Sequence, residues 1–203
     1  MADEELTQEQ LAELSVADEE TETPSNYKVP AKKTLEEIVK QDEEDESLAK
    51  YKKTLLGNQA VCSDPNSPNV QLTKMTLDCK SSPGDLFIDL TGDLSGLKSR
   101  PFVLKEGVEY RINFSFFVNK EIVSGLKYIQ ETYRNKIKVD KTEYMAGSYP
   151  PNKDKEHHFL TNMEQAPHGT LGRGNYVIKS SFTDDDKHVH LCFTWSLSIK
   201  KDW

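Results

Sequence analysis

The sequence predicts an all-β domain, a sandwich of two sheets, carried behind a long acidic arm. Three observations lead there. From about residue 67 onward apolar residues recur with a period of two, as in strands half-buried in a sheet. Turn-forming clusters interrupt that pattern at short intervals: Pro83-Gly84, Gly92-Asp93, Glu106-Gly107, Pro150-Pro151, Gly172-Arg173-Gly174 and Asp184-Asp185-Asp186. Charge is lopsided: residues 1–66 hold 17 acidic and 7 basic residues out of 34 and 26 in the chain, so the remainder is nearly balanced.

Residues 1–66 form the arm. Residues 1–33 have too few large apolar side chains to offset the entropy of ordering, and disorder is expected there. Thr7 with Gln10 is a weak capping pattern ahead of Leu11 and Leu14. Thr34 with Glu37 is a clearer one ahead of Ile38 and Val39, placing a helix near 34–40. A second helix is expected near 47–56. Ser47 serves as its N-cap, and the run Asp42–Glu46 suits the positive end of its dipole. Leu48, Tyr51 and Leu55 share one face, and Gly57 stops it. Helices this short are not stable alone in water. Their apolar faces lie either on the protein's own sandwich or on a partner, and the pattern does not separate the two.

Residues 67–203 form the sandwich. Strands are expected near Val70–Cys79, Leu86–Leu90, Phe102–Leu104, Tyr110–Val118, Leu126–Tyr133, Ile137–Val139, Tyr144–Tyr149, Tyr176–Phe182 and Val189–Ile199. In the first, Val70 and Leu72 lose phase against Met75 and Leu77, and a bulge near Thr73-Lys74 restores it. Many short strands at such spacing give an immunoglobulin-like two-sheet β-sandwich.

Little in the chain points to chemistry. There is no phosphate-cradling Walker loop, no Gly-x-Ser-x-Gly elbow and no His-Glu-x-x-His zinc helix. Gly169–Gly174 is glycine-rich but lies between strands, so it reads as a loop or hairpin. His188 and His190 share a strand face and could hold a metal, yet no third ligand is evident, which favours exposed surface histidines. Asp184–Asp186 lacks the pattern of a calcium loop and reads as a solvated turn. The start of the chain, Met1–Gln10, has no basic or apolar leader, and no apolar run reaches the roughly 18–20 residues of a membrane span. Cys62, Cys79 and Cys192 have no metal-type spacing and read as reduced thiols, so a cytoplasmic protein is expected. An acidic arm repels nucleic acid and anionic membranes and attracts basic partners. A binding protein is expected, with no catalytic residues, no metal and no cofactor. Whether the apolar interior is a filled core or a ligand pocket with the same lining stays open at this level.

Several stretches resemble the Rho GDP-dissociation inhibitor family. They are Asp45–Gly57, Asp89–Leu94, Phe102–Arg111, Val118–Gly125, Phe182–Lys187 and the ending Ile199–Trp203, in order along the chain from about Tyr27. The resemblance implies an arm that clamps the switch loops of a Rho-family small GTPase, mainly GDP-bound, and slows GDP release. It implies a sandwich that buries the geranylgeranyl group of the GTPase and so extracts it from membranes. By resemblance Asp45, Ser47, Leu48, Tyr51, Leu55, Leu56 and Asp186 touch the GTPase, and Leu77, Phe102, Ile122, Leu171, Ile178, Phe193 and Trp195 line the prenyl pocket. The partner would be a prenylated GTPase bound by a monomer in a 1:1 complex, with no nucleic acid and no stable membrane insertion. The chain departs from the family pattern at Phe193, where Trp is common, at Pro101 and Asn175, where hydroxyl residues are usual, and over Pro150–His158, read as a loop longer by one residue. The alternative is a general prenyl- or lipid-carrying sandwich without inhibition at the switches.

Overall fold

The computed structural model describes residues 66–203 and, within the arm, Glu37, Asp45–Leu48 and Lys50. The helix expected around Thr7, the residues Tyr51, Leu55 and Leu56, and Cys62 lie outside the described residues; Glu37 is helical.

Ten strands follow: β1 (Val70–Asp78), β2 (Leu86–Asp89), β3 (Phe102–Lys105), β4 (Glu109–Val118), β5 (Val123–Arg134), β6 (Ile137–Tyr149), β7 (Asn152–Leu160), β8 (Glu164–Gln165), β9 (Gly174–Thr183) and β10 (Val189–Lys200). One sheet runs β2-β1-β4-β7, with β8 also paired to β4, and the other runs β3-β10-β9-β5-β6. All pairs are antiparallel except β3 with β10. This is the predicted two-sheet sandwich.

The core is what period two requires. Along β4, Tyr110, Ile112, Phe114, Phe116 and Val118 are buried, and along β10 Phe193, Trp195, Leu197 and Ile199 are. The bulge falls where the phase slips: the register of β1 against β4 shifts between Leu72 and Lys74. Thr73 uses its freed groups there. Its carbonyl accepts the Leu90 amide at 2.8 Å, and its hydroxyl lies 3.0 Å from the Ser115 carbonyl and 2.5 Å from a Glu156 carboxylate oxygen. At the start of the sandwich Asn119 Nδ2 donates to Ser67 Oγ and the Pro68 carbonyl, while Asn69 Oδ1 accepts the Lys120 and Glu121 amides. Ser67–Asn69 are thus stitched to the β4–β5 turn.

Four local expectations need correction. Ile137–Val139 and Tyr144–Tyr149 are one strand, β6, at the edge of its sheet. Pro150–His158 is not a loop, because β7 occupies most of it. Its alternation is hidden by a bulge: Phe116 and Val118 of β4 pair with His157 and Asn152, so the surplus residues bow out between two paired positions. Gly169–Gly172 is a single helical turn, and β9 starts at Gly174. In the arm the N-cap is Asp45, not Ser47: Asp45 Oδ1 accepts the amides of Ser47 at 2.9 Å and Leu48 at 3.2 Å.

Candidate functional site

The two ends of the sandwich carry different chemistry. At one end an aromatic cluster joins the sheets. Trp195 on β10 is 1% exposed and pairs in register with Ile178 on β9. Phe102, on the adjoining edge strand β3, packs edge-on against it at 5.7 Å between ring centroids. Leu77 belongs to the same core from the opposite sheet, and Phe193 lies two residues along β10.

This cluster has a polar back wall. The Trp195 indole N–H donates to Ser180 Oγ at 2.9 Å, Ser180 and Tyr128 share a hydrogen bond at 2.9 Å, and the Tyr128 hydroxyl donates to Gln130 Oε1 at 3.0 Å. Counting donors orders the chain. Ser180 accepts from Trp195 and must give its own proton to Tyr128, whose proton is already on Gln130. Burial pushes the Tyr128 phenol well above its usual pKa, so it stays a neutral donor. Across the core Tyr110 and Tyr144 both donate to the Glu164 carboxylate, and burial likewise raises both phenols.

Beside the cluster an open groove of about 440 Å³ is lined by Pro83, Gly84, Leu86, Val103, Lys200 and Trp203, among others. That volume is within the roughly 300–1,000 Å³ of small-molecule sites. Leu86 is the register partner of Leu77, and Val103 follows Phe102, so the groove adjoins the aromatic cluster from outside.

The expected prenyl-lining residues are only partly gathered. Leu77, Ile178, Phe193 and Trp195 belong to the one core of the sandwich and Phe102 packs against it. Leu171 is 87% exposed on the helical turn Gly169–Gly172. That turn is pinned by Glu106, which accepts the Gly169 amide at 2.8 Å and a bidentate pair from Arg173 at 2.7 and 2.8 Å. The Arg173 pair holds the Glu106 carboxyl below its usual pKa. Ile122 immediately precedes β5, whereas Ile178 pairs with Thr132 on that strand. At about 3.3 Å per residue the two are roughly 30 Å apart along the sheet.

The other end carries Asp186, in the β9–β10 hairpin, near Ile122: the Asp185 amide donates to the Ser124 carbonyl at 3.1 Å. This turn is not simply solvated. Asp184 is 7% exposed and accepts the His188 amide at 2.9 Å, and its Oδ2 lies 3.0 Å from His190 Nε2. His190 is therefore no exposed surface histidine; only 10% of its side chain is exposed, against 60% for His188. Burial works against ionisation of Asp184, but the His188 amide and the two imidazoles outweigh it and lower its pKa. Asp185 pairs with Lys127 at 3.6 Å and fills the space over Gly125. In the arm Asp45, Ser47 and Leu48 are exposed; the Asp45 carboxylate caps its own helix and keeps further lone pairs for a partner.

Sequence reasoning passed over Ser180, Tyr128, Glu164, Leu86, Val103 and Trp203. Ser180 had a legible signal: a hydroxyl at an inward position between Ile178 and Phe182.

The sandwich thus pairs an aromatic cluster with a charged hairpin, an arrangement able to take an apolar ligand and a polar partner. Comparison with known proteins gives its family. The family model described as RHO protein GDP dissociation inhibitor matches residues 12–202. Human Rho GDP-dissociation inhibitor 1 is 59% identical over 203 residues, 100% of this chain and 99% of that one. Bovine Rho GDP-dissociation inhibitor 3 is 48% identical over 198 residues, covering 98% and 88%. A solved Niemann-Pick type C2 protein from the Japanese carpenter ant aligns with a TM-score of 0.43 at 12% identity, over 69% of this chain and 99% of that one, which is too slight to carry an argument. The chain belongs to the RHO protein GDP dissociation inhibitor family. Membership makes it a regulatory inhibitor and not an enzyme. No helix among the described residues is long and apolar enough to cross a membrane.

Proposed function

We propose that this protein binds geranylgeranylated Rho-family GTPases in the cytoplasm as a 1:1 complex, slows their release of GDP, and holds the geranylgeranyl group in its sandwich. Residues 1–66 act as the clamping arm and residues 67–203 as the prenyl-binding sandwich. The observation that carries the lipid half is the cluster of Leu77, Phe102, Ile178, Phe193 and Trp195, gathered from both sheets beside an open groove. Burying a methylene is worth roughly 0.8 kcal/mol, so a twenty-carbon chain offers on the order of 10 kcal/mol if most of it is covered. The groove along Leu86 and Val103 is the way in, and the cluster is the wall against which the lipid lies. Leu171 serves at the rim. Ile122 lines the lipid only if the chain threads the length of the sandwich.

The arm supplies Asp45, Ser47, Leu48, Tyr51, Leu55 and Leu56 to the switch loops, with Asp186 as a second contact from the sandwich. A carboxylate accepting hydroxyl and amide protons of a switch loop holds that loop in one state. Joining two modest contacts through one chain gives affinity and selectivity that neither gives alone.

The test is GDP release from a geranylgeranylated Rho-type GTPase with the full chain and with a truncation beginning at Ser67, which keeps the partners of Asn119. Strong slowing that disappears on truncation supports the clamp. Membrane extraction without slowing would reduce the protein to a lipid carrier.

A further inference from the structure

The β9–β10 hairpin gathers more ligand-type atoms than closing a turn requires. The turn is already closed by its backbone: the Asp184 amide donates to the His188 carbonyl at 3.3 Å and the Lys187 amide to the Asp184 carbonyl at 3.0 Å. Asp184 Oδ1 adds the His188 amide. That leaves Oδ2, which faces His190 Nε2 at 3.0 Å and His188 Nδ1 at 3.4 Å. One ligand atom each from Asp184, Asp186 and His188 all fall within 4.8 Å of one another. We propose that Asp184, Asp186 and His188 form a binding site for a zinc-class divalent cation, with His190 holding Asp184 in place.

The spacing of His188 and Asp184 fits two ligands of such an ion better than a hydrogen bond. At 3.4 Å the His188 nitrogen is too far from Asp184 Oδ2 for a good hydrogen bond. A tetrahedron with bonds of about 2.1 Å has edges of about 3.4 Å, so the same spacing is that of two ligands on one zinc. Two carboxylates and one imidazole suit zinc or cobalt, whereas magnesium and calcium take oxygen ligands throughout. His190 is the outer partner that a ligating carboxylate needs to keep its orientation. The His188 side chain is 60% exposed, which gives the ion a path from solvent, and a fourth position stays open to water.

Occupancy would draw the Asp186 carboxylate onto the ion. If Asp186 meets the GTPase, as proposed above, zinc then competes with that contact; this consequence rests on that reading, and the site itself does not.

The experiment titrates the reduced full-length protein with Zn²⁺ against a chromophoric chelator, and with Co²⁺ as a spectroscopic probe. The expected result is saturable binding of about one ion, weakened about tenfold or more in His188→Ala and not displaced by excess Mg²⁺. The cobalt spectrum should lack thiolate charge transfer, which separates this site from binding at the cysteines. His188 is exposed, so its removal leaves the sandwich folded; retained near-ultraviolet circular dichroism checks this. No saturable binding, unchanged affinity in His188→Ala, or a thiolate band that accounts for the bound cobalt overturns the site. In a second arm, zinc is added to the complex with the prenylated GTPase and GDP release is followed. Faster release with the wild type but not with His188→Ala supports competition with Asp186. Binding without any change in release overturns the competition and leaves the site standing. A protein that never slows release sinks the regulatory reading, while the titration still decides the site.

Discussion

Ser180 does more than its size suggests. Its hydroxyl accepts the Trp195 indole proton and donates to Tyr128, so it satisfies two buried groups at once. Ser180→Ala leaves the indole N–H and one Tyr128 lone pair without partners. Destabilisation of about 2 kcal/mol is expected, read from the midpoint of denaturant unfolding. Gly125 is the second residue whose identity the structure requires. Its φ is +61°, and a β-carbon there would stand 2.0 to 2.3 Å from the Asp185 carboxylate. Asp185 can swing away, but the left-handed backbone remains, so Gly125→Ala should cost more than about 1 kcal/mol in the same unfolding measurement. Gly92, in open space, is the control and should cost less.

At the scale of elements, β1 and β7 carry the predictions. Deleting Thr73 removes the bulge and slips one side of β1 by a residue. Val70 and Leu72, now 2% and 4% exposed, would turn to the solvent face. The deletion should abolish cooperative unfolding, whereas Thr73→Ala, which keeps the count, should cost about 1 kcal/mol. In β7, His157 lies against the rings of Phe116 at 5.7 Å and Tyr149 at 5.0 Å, and its Nε2 is buried without a hydrogen-bond partner. Burial holds its pKa below the usual value; a bond at Pro150 works the other way, and Lys155 and His158 lower it further. The unfolded chain then binds the proton more readily than the fold. Stability from this site is fully present above the unfolded pKa of about 6.5 and is lost as pH falls below it towards the folded value. His157→Phe should flatten the stability profile across that window in thermal unfolding at stepped pH.

At the scale of the molecule, the asymmetry of charge predicts kinetics. Residues 1–66 hold 17 acidic and 7 basic residues, while the rest is nearly balanced. An acidic arm should speed encounter with a partner that presents a basic surface, and salt should screen that attraction. Stopped-flow association is expected to slow as ionic strength rises from about 0.05 to 0.5 M, and truncation at Ser67 should remove most of the dependence. A rate indifferent to salt in the full chain would leave the arm without an electrostatic role.

Much of the fold was legible because period two is a local property. Alternation alone placed the inward residues of β4 and, except for the exposed Val189, those of β10, and the lost phase between Leu72 and Met75 located the bulge. Contiguous matches such as Asp45–Gly57 carried the family, because each is a run of neighbours in the chain. Local pattern failed where neighbours in space are distant in sequence. β7 was hidden because its alternation is broken by a bulge whose position only pairing with β4 defines. Ile122 and Leu171 were grouped with Trp195 by resemblance and not by pattern; register sets Ile122 far along the sheet, and Leu171 lies exposed on the turn that the Glu106–Arg173 pair pins. His188 is solvent-facing as expected, but His190 is covered, because the hairpin folds Asp184 against it. The sequence alone determined the all-β class of the fold, most of the inward residues of its longer strands, and its family. The tertiary structure decided which ends of those strands meet, and so which side chains share a site, because strand register is settled by packing across the whole sandwich rather than by any one segment.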